Sequence, residues 1–193
     1  MHTENKEDRR VRKTKKVLRK GLIELLNEKS IQKITIRELT DKVDIHRSTF
    51  YANFNDIYDL YCHMEDTVVQ EIIDIVSEDY AFNPYILWTK LVDYINRNRQ
   101  LSRLFFSGNI NTAFFERLIG LFKNMCIDCW RKEYHVTNTS DEMNYYAQYC
   151  LSGGLGIIGM WVSANFEYPA DKLVTMLAEI DVNAGKMFGS KFS

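Results

Sequence analysis

Apolar positions along this chain recur at helical intervals almost throughout, and nowhere alternate for long as a strand would require. Leu18, Leu22, Leu25 and Leu26 mark one face of a first helix, placed over residues 9–28. Ile36, Leu39 and Val43 follow at i, i+3, i+7 behind Thr35, a residue type that caps helix N-termini well, so a second helix of about two turns covers 35–43. Asp44 interrupts the pattern and Ile45 returns to the core. Phe50 and Phe54, at i and i+4, then define a short third helix over 47–53. Asp56 is placed to cap a fourth helix, with Asp59 at its third position in an acidic variant of the capping box. Ile57, Leu60, Tyr61, Met64 and Val68 keep one face of that helix apolar, and it continues towards Val76.

The rest of the chain gives helices over 84–97, 100–106, 112–134, 140–166 and 169–188, with linkers at 108–111 and 136–139. The only two prolines, Pro84 and Pro169, sit where first-turn prolines are expected. The reading is all-α with about nine helices: a three-helix N-terminal head over 1–60 and a helical bundle over 61–193. With 193 residues, 46% of them hydrophobic, the chain can bury a sizeable core. No apolar run is long enough to span a bilayer and the N-terminus is highly charged, which places the protein in the cytoplasm.

Charge changes the picture of the head. Between Arg9 and Lys20 stand eight basic residues and no acid, Lys13, Lys15 and Lys16 among them. Residues 1–60 carry a net charge of +4, while the whole chain carries −1. The third helix buries little beyond its two phenylalanines and otherwise offers Arg47, Ser48, Thr49, Tyr51 and Asn53, groups that donate hydrogen bonds and do not repel phosphate. Arginine can bridge the two acceptors of guanine, asparagine can pair with adenine, and hydroxyls reach phosphate oxygens. A merely solvated amphipathic helix pair is the competing reading, and the adjacent basic run weighs against it.

The order T-I-R-E-L, then V-x-I-x-R-S-T-F-Y-x-x-F, then L, within residues 9–64, resembles the helix-turn-helix DNA-binding domain of TetR-type transcriptional regulators. The resemblance implies a homodimer on a palindromic double-stranded DNA operator, with Thr35, Arg37, Arg47, Ser48 and Thr49 facing bases or phosphates and Tyr51 gripping the backbone. It also implies a C-terminal domain that binds an effector and dimerises through its last two long helices. One departure stands out: the family commonly has a lysine where this chain has Ile57. The segment GGLGIIGMW looks like a C-terminal domain frequent among Gram-positive members.

Two motifs elsewhere compete with this reading. Cys126 and Cys129 form C-x-x-C inside a helical pattern, where ordinary packing is favoured over a redox sensor or a metal site, since no local spacing supplies further ligands. Gly154, Gly156 and Gly159 match G-x-G-x-x-G but lack the preceding strand that a dinucleotide fold needs. At helical spacing, Ser152, Gly156, Gly159 and Ser163 form a small-residue stripe beside Leu155, suited to a close helix contact either within one subunit or between two. With Met176 on the last helix, these residues are the candidate dimer interface.

Residues 80–168 hold 18 of the 25 aromatic residues. These fill a core, and some can line an effector cavity, the candidates being Trp88, Tyr94, Phe105, Phe106, Phe122, Trp130 and Tyr149. The expectation is a ligand-responsive dimeric repressor needing no cofactor or metal. A regulator answering to a protein partner is the alternative. An enzyme is disfavoured, since no nucleophile–base arrangement, phosphate loop or acid–base carboxylate pair is legible.

Overall fold

The computed structural model describes residues 6–77, 83–106, 112–133, 135 and 141–192. Both linkers expected above, 108–111 and 136–139, lie outside these residues. The described residues form nine α-helices and one 3₁₀ turn, and they divide into two compact units, Met1–Gln70 and Glu71–Ser193, a division that falls inside the fourth helix.

In the first unit α1 (Lys6–Leu26), a 3₁₀ turn (Ile31–Lys33), α2 (Ile36–Lys42), α3 (Arg47–Tyr51) and the start of α4 (Ile57–Ser77) enclose one core. Leu18 and Leu22 of α1, Leu39 of α2, Phe50 of α3 and Leu60 of α4 are its most buried members. Local chemistry sets the helix ends. The Thr35 hydroxyl accepts from Glu38 N at 3.2 Å, and Asp56 Oδ1 accepts from Asp59 N at 2.8 Å. Asp59 completes a variant capping box by accepting from the N–H of Asn55, one residue earlier than the usual partner. At the C-terminus of α2, Asp44 takes a left-handed conformation (φ 53°) and Ile45 N donates to Thr40 O at 3.0 Å. That bond closes a Schellman turn and returns Ile45 to the core. Around this frame Lys29 pairs with Glu38, holding its carboxyl below the usual range, and Lys42 lies 3.4 Å from Glu24.

The second unit takes the end of α4 and α5 (Pro84–Arg97), α6 (Arg99–Phe106), α7 (Thr112–Glu133), α8 (Asp141–Ser163) and α9 (Ala170–Phe192). α5 packs on α9, while α8 packs on α6, α7 and α9. Trp88, Val92, Ile158, Trp161, Leu173 and Leu177 are central to its core. Asn83 caps α5, its side chain accepting from Tyr85 N and Ile86 N, and Pro84 follows at the first helical position as expected. α8 ends in a second Schellman turn: Asn165 has φ 57° and Phe166 N donates to Trp161 O at 2.9 Å. The Phe166 ring meets Trp161 edge-on and lies under the guanidinium groups of Arg99 and Arg103.

Several boundaries differ from the periodicity. α1 starts and stops earlier than 9–28, with the Asn27 amide turned back to Ile23 O at its end. The 3₁₀ turn has no apolar period to betray it. α3 ends at Tyr51 instead of residue 53, and α8 ends at Ser163 because the Schellman turn stops it. Pro169 is not a first-turn residue: it precedes α9 and its carbonyl accepts from Leu173 N.

Two glycines are fixed by close approach of helices. A Cβ on Gly21 would stand 2.3 Å from Val43 Cγ1, and one on Gly154 would stand 2.5 Å from the indole of Trp88. Gly120, in contrast, faces nothing within 4 Å. Gly21→Ala should therefore destabilise the first unit by about 1 to 3 kcal/mol through overpacking. Gly120→Ala should be neutral or stabilising by up to about 1 kcal/mol through helix propensity. Urea unfolding of both variants checks the contrast, and equal effects would refute it.

Candidate functional site

α3 has only five residues, too short to hold a helix by itself, and Phe50 and Phe54 anchor it to the head. With those two rings inward, Arg47, Ser48 and Tyr51 are exposed, Tyr51 by 59%, and Thr49 is half-buried. The guanidinium of Arg47 has no side-chain partner among the described residues, so its donors face outward. Arg37 is also exposed, at 3.6 Å from Asp41 one turn along α2. Such a surface pair contributes little and is readily exchanged for another anion.

Two residues of the expected reading set are engaged differently. The Thr35 hydroxyl is occupied in capping α2. Asn53 donates its amide to Thr49 O at 2.8 Å and is half-buried, so that donor serves the end of α3 instead of pointing outward. On α1, Lys13 and Lys16 are exposed, whereas Lys15 is half-buried with its ammonium 5.6 Å from the centre of the Phe54 ring. Ile57 is buried in the head's core and cannot contact phosphate. The Asp56 and Asp59 carboxylates at the start of α4 would repel one.

The second unit contains a cavity of about 40 Å³ bounded by α5, α7, α8 and α9. Trp88, Phe122 and Trp130, expected as pocket residues, line it. The other expected pocket residues do not. Tyr94 donates to Glu71 Oε2 at 2.6 Å, Phe105 stacks on Phe114, and Phe106 packs edge-on against Phe115. Tyr149 is 74% exposed, because the helical turn that buries Cys150 and Leu151 carries it outward.

Asp181 of α9, which periodicity marks only as a charged helix residue, also lines the cavity. It accepts from Trp88 Nε1 at 2.7 Å across 93 residues of chain, a pairing without any local signal. Burial pushes its carboxyl up to about 6, with the Trp88 hydrogen bond acting the other way. Cys126 and Cys150 line the same space; burial first, then the nearby Asp181, pushes the Cys150 thiol up to about 11. The side chain of Cys129 lies outside the described residues. No group of three His, Cys, Asp or Glu side chains among the described residues is arranged to hold a metal, and no helix among them is long and apolar enough to cross a membrane.

The expected dimer set divides as well. Ser152, Gly156 and Ser163 are exposed on α8, and a Cβ on Gly156 meets nothing within 4 Å. Gly159 faces Phe106 of the same chain at 3.3 Å, and Leu155 lines the cavity, so both belong to internal packing. Met176 is exposed on α9 with Ile180 and Met187, while α8 adds Tyr145 and Met160.

Asp181 generates a pH test. Its carboxyl titrates near 3.8 when unfolded and near 6 when folded, so the folded protein binds the extra proton and its stability falls as pH rises from about 4 to 6. Asp181→Asn should consequently be more stable than the parent at pH 7, by on the order of 2 kcal/mol, with the difference vanishing towards pH 4. Urea midpoints at the two pH values check this, and a gain that does not depend on pH would contradict the titration.

Comparison with known proteins follows the same architecture. No curated protein matches the chain by sequence. Among solved structures, the dihydroxyacetone kinase operon activator DhaS superposes with a TM-score of 0.67 at 16% identity, covering 90% of this chain and 97% of that one. The fatty acid degradation regulator FadR from Bacillus halodurans gives 0.69 at 12% identity, with 86% and 96% covered. A TetR-family transcriptional regulator from Streptomyces coelicolor gives 0.68 at 15% identity, with 94% and 84% covered. At such identities the likeness speaks for the fold. The TetR family model described as a transcriptional regulator C-terminal region matches residues 83–180, just over half of the chain and nearly the whole of α5 to α9. This chain belongs to the TetR-type transcriptional regulators.

Proposed function

We propose that the protein is a homodimeric repressor that reads a palindromic DNA operator with α3 and releases it when a small molecule occupies the second unit. The observation that carries the reading is Arg47: an exposed guanidinium at the first position of α3, with no side-chain partner among the described residues, flanked by exposed Ser48 and Tyr51 and backed by buried Phe50. Arginine so presented suits bidentate contact with guanine, while Tyr51, Lys13 and Lys16 suit phosphate. Arg37 joins them by giving up Asp41.

Dimerisation through α8 and α9 is supported by Tyr145, Tyr149, Met160, Met176, Ile180 and Met187, large apolar side chains left exposed on those two helices. α4 carries residues of both units, from Ile57 in the head's core to Glu71 at the second unit's Tyr94. A ligand that favours one arrangement of the second unit over another can act on the head through this helix, and needs only differential affinity to do so. A second reading, an activator answering to a protein partner, draws support from the small volume of the cavity and from DhaS, whose name describes an operon activator.

Selection of bound sites from random duplex DNA tests the proposal: it should return a palindrome with half-site centres about 34 to 36 Å, or a multiple of that, apart. On that site Arg47→Ala should cost about 1 to 3 kcal/mol and relax specificity at one position per half-site. Replacing Lys13 and Lys16 by Ala should lower the salt slope by about 1 for each residue and weaken all sequences alike. Absence of any enriched sequence would defeat the DNA-reading assignment. Gly156→Leu adds a side chain into open space, so it should leave the protomer folded and yield a monomer by sedimentation; a persistent dimer would move the seam elsewhere.

A further inference from the structure

Among the described residues, the cavity of the second unit is walled by apolar and aromatic side chains and two cysteines, with one carboxylate and no cationic group. We infer that its occupant is an amphipathic organic cation, an ammonium group on an alkyl or aromatic body, with the charge at Asp181 and the apolar part against Trp88, Phe122 and Trp130. The inference rests on the reading of this unit as the effector-binding part and names the chemical class of that effector.

Three observations carry it. The carboxylate is held in place: Asp181 Oδ2 accepts from the indole N–H of Trp88 at 2.7 Å, and Trp88 is itself pinned where its ring fills the space a Cβ on Gly154 would need. A charge built into an apolar wall costs free energy, and one neutral donor leaves most of that cost uncompensated. A cation offsets it; a neutral ligand leaves it; an anion adds to it. Trp88 and Trp130 add indole rings to the lining, and such rings attract an ammonium group. Finally, Asp181 is half-buried, as are Leu91 and Leu155 of the lining, whereas Trp88, Cys126 and Trp130 are buried, so the carboxylate belongs to the more accessible part of the lining. An amphipathic molecule enters such a site with its apolar end first.

Size gives the binding a consequence. The cavity of about 40 Å³ has room for two or three waters. Sites for drug-sized ligands run from about 300 to 1,000 Å³. The ligand therefore binds an expanded arrangement of α5, α7, α8 and α9, and its affinity differs between the two arrangements by the whole of the contact made. That difference is what a population shift requires.

The test uses the full chain at neutral pH and three probes of one chain length, decyltrimethylammonium, decanol and decanoate, each below its micelle-forming concentration. Binding is read by titration calorimetry and by tryptophan fluorescence. The cation is expected to bind at least about tenfold tighter than the alcohol, with decanoate weakest. Asp181→Asn, which keeps an oxygen for the Trp88 N–H, should erase the preference for the cation and improve decanoate; Asp181→Glu should keep the preference. Thermal melts of both variants confirm folding. If decanol or decanoate matches the cation, or if the preference survives in Asp181→Asn, the charge assignment is overturned while the effector-binding reading stands. If none of the three probes binds, both fall.

Discussion

The placement of Trp88 is the constraint on which the second unit depends. Its ring occupies the side-chain position that residue 154 leaves empty, and its N–H reaches Asp181, so one side chain sets the spacing of α5 to α8 and of α5 to α9 together. Packed interiors do not deform smoothly, and a residue wedged in this way offers a small number of discrete alternatives. The wedge also explains why a carboxylate persists beside an apolar cavity. Asp181 satisfies an indole donor that would otherwise be buried unpaired, at the cost of leaving a charge among hydrocarbon.

The first unit is held together differently. Its core is built from aliphatic side chains of α1, α2 and the start of α4 with Phe50 of α3 and Phe54 just beyond it, and its helix ends are fixed by side chains close in sequence. The ion pairs around it, Lys29 with Glu38 and Lys42 with Glu24, are partly exposed and contribute modestly. Rigidity thus comes from burial and capping, which leaves the outward side of α3 free of structural duty. Asn53 departs from this, serving the helix end with its amide.

What could be read from the sequence follows the range of the interaction. Thr35 and Asp56 announce helix starts because each cap acts within three residues, Pro84 announces another as a first-turn proline, and Asp44 interrupts the apolar pattern where the chain turns. Phe50 and Phe54 at i and i+4 sufficed to orient α3, and with it Arg47, Ser48 and Tyr51. The second unit was legible as helices but not as a site. Aromatic enrichment could not separate Trp88, which lines the cavity, from Phe105, which stacks on Phe114, or from Tyr149, which faces out. Nothing near Asp181 in sequence indicates an indole 93 residues away. The glycine cluster was misleading in detail, since neighbouring glycines face opposite ways: Gly154 and Gly159 towards the chain's own rings, Gly153 and Gly156 towards open space.

The brevity of α3 bears on how much a single head can specify. Five residues advance about 7.5 Å along a helix axis, comparable with the rise of roughly two base pairs. Reading so short a stretch distinguishes few sequences, whereas a genome presents about a million to a billion competing positions. If α3 addresses DNA as proposed, one head carries too little information to find a single locus. The address is then written in the pair of half-sites and the distance between them, a quantity fixed by whatever holds two chains together.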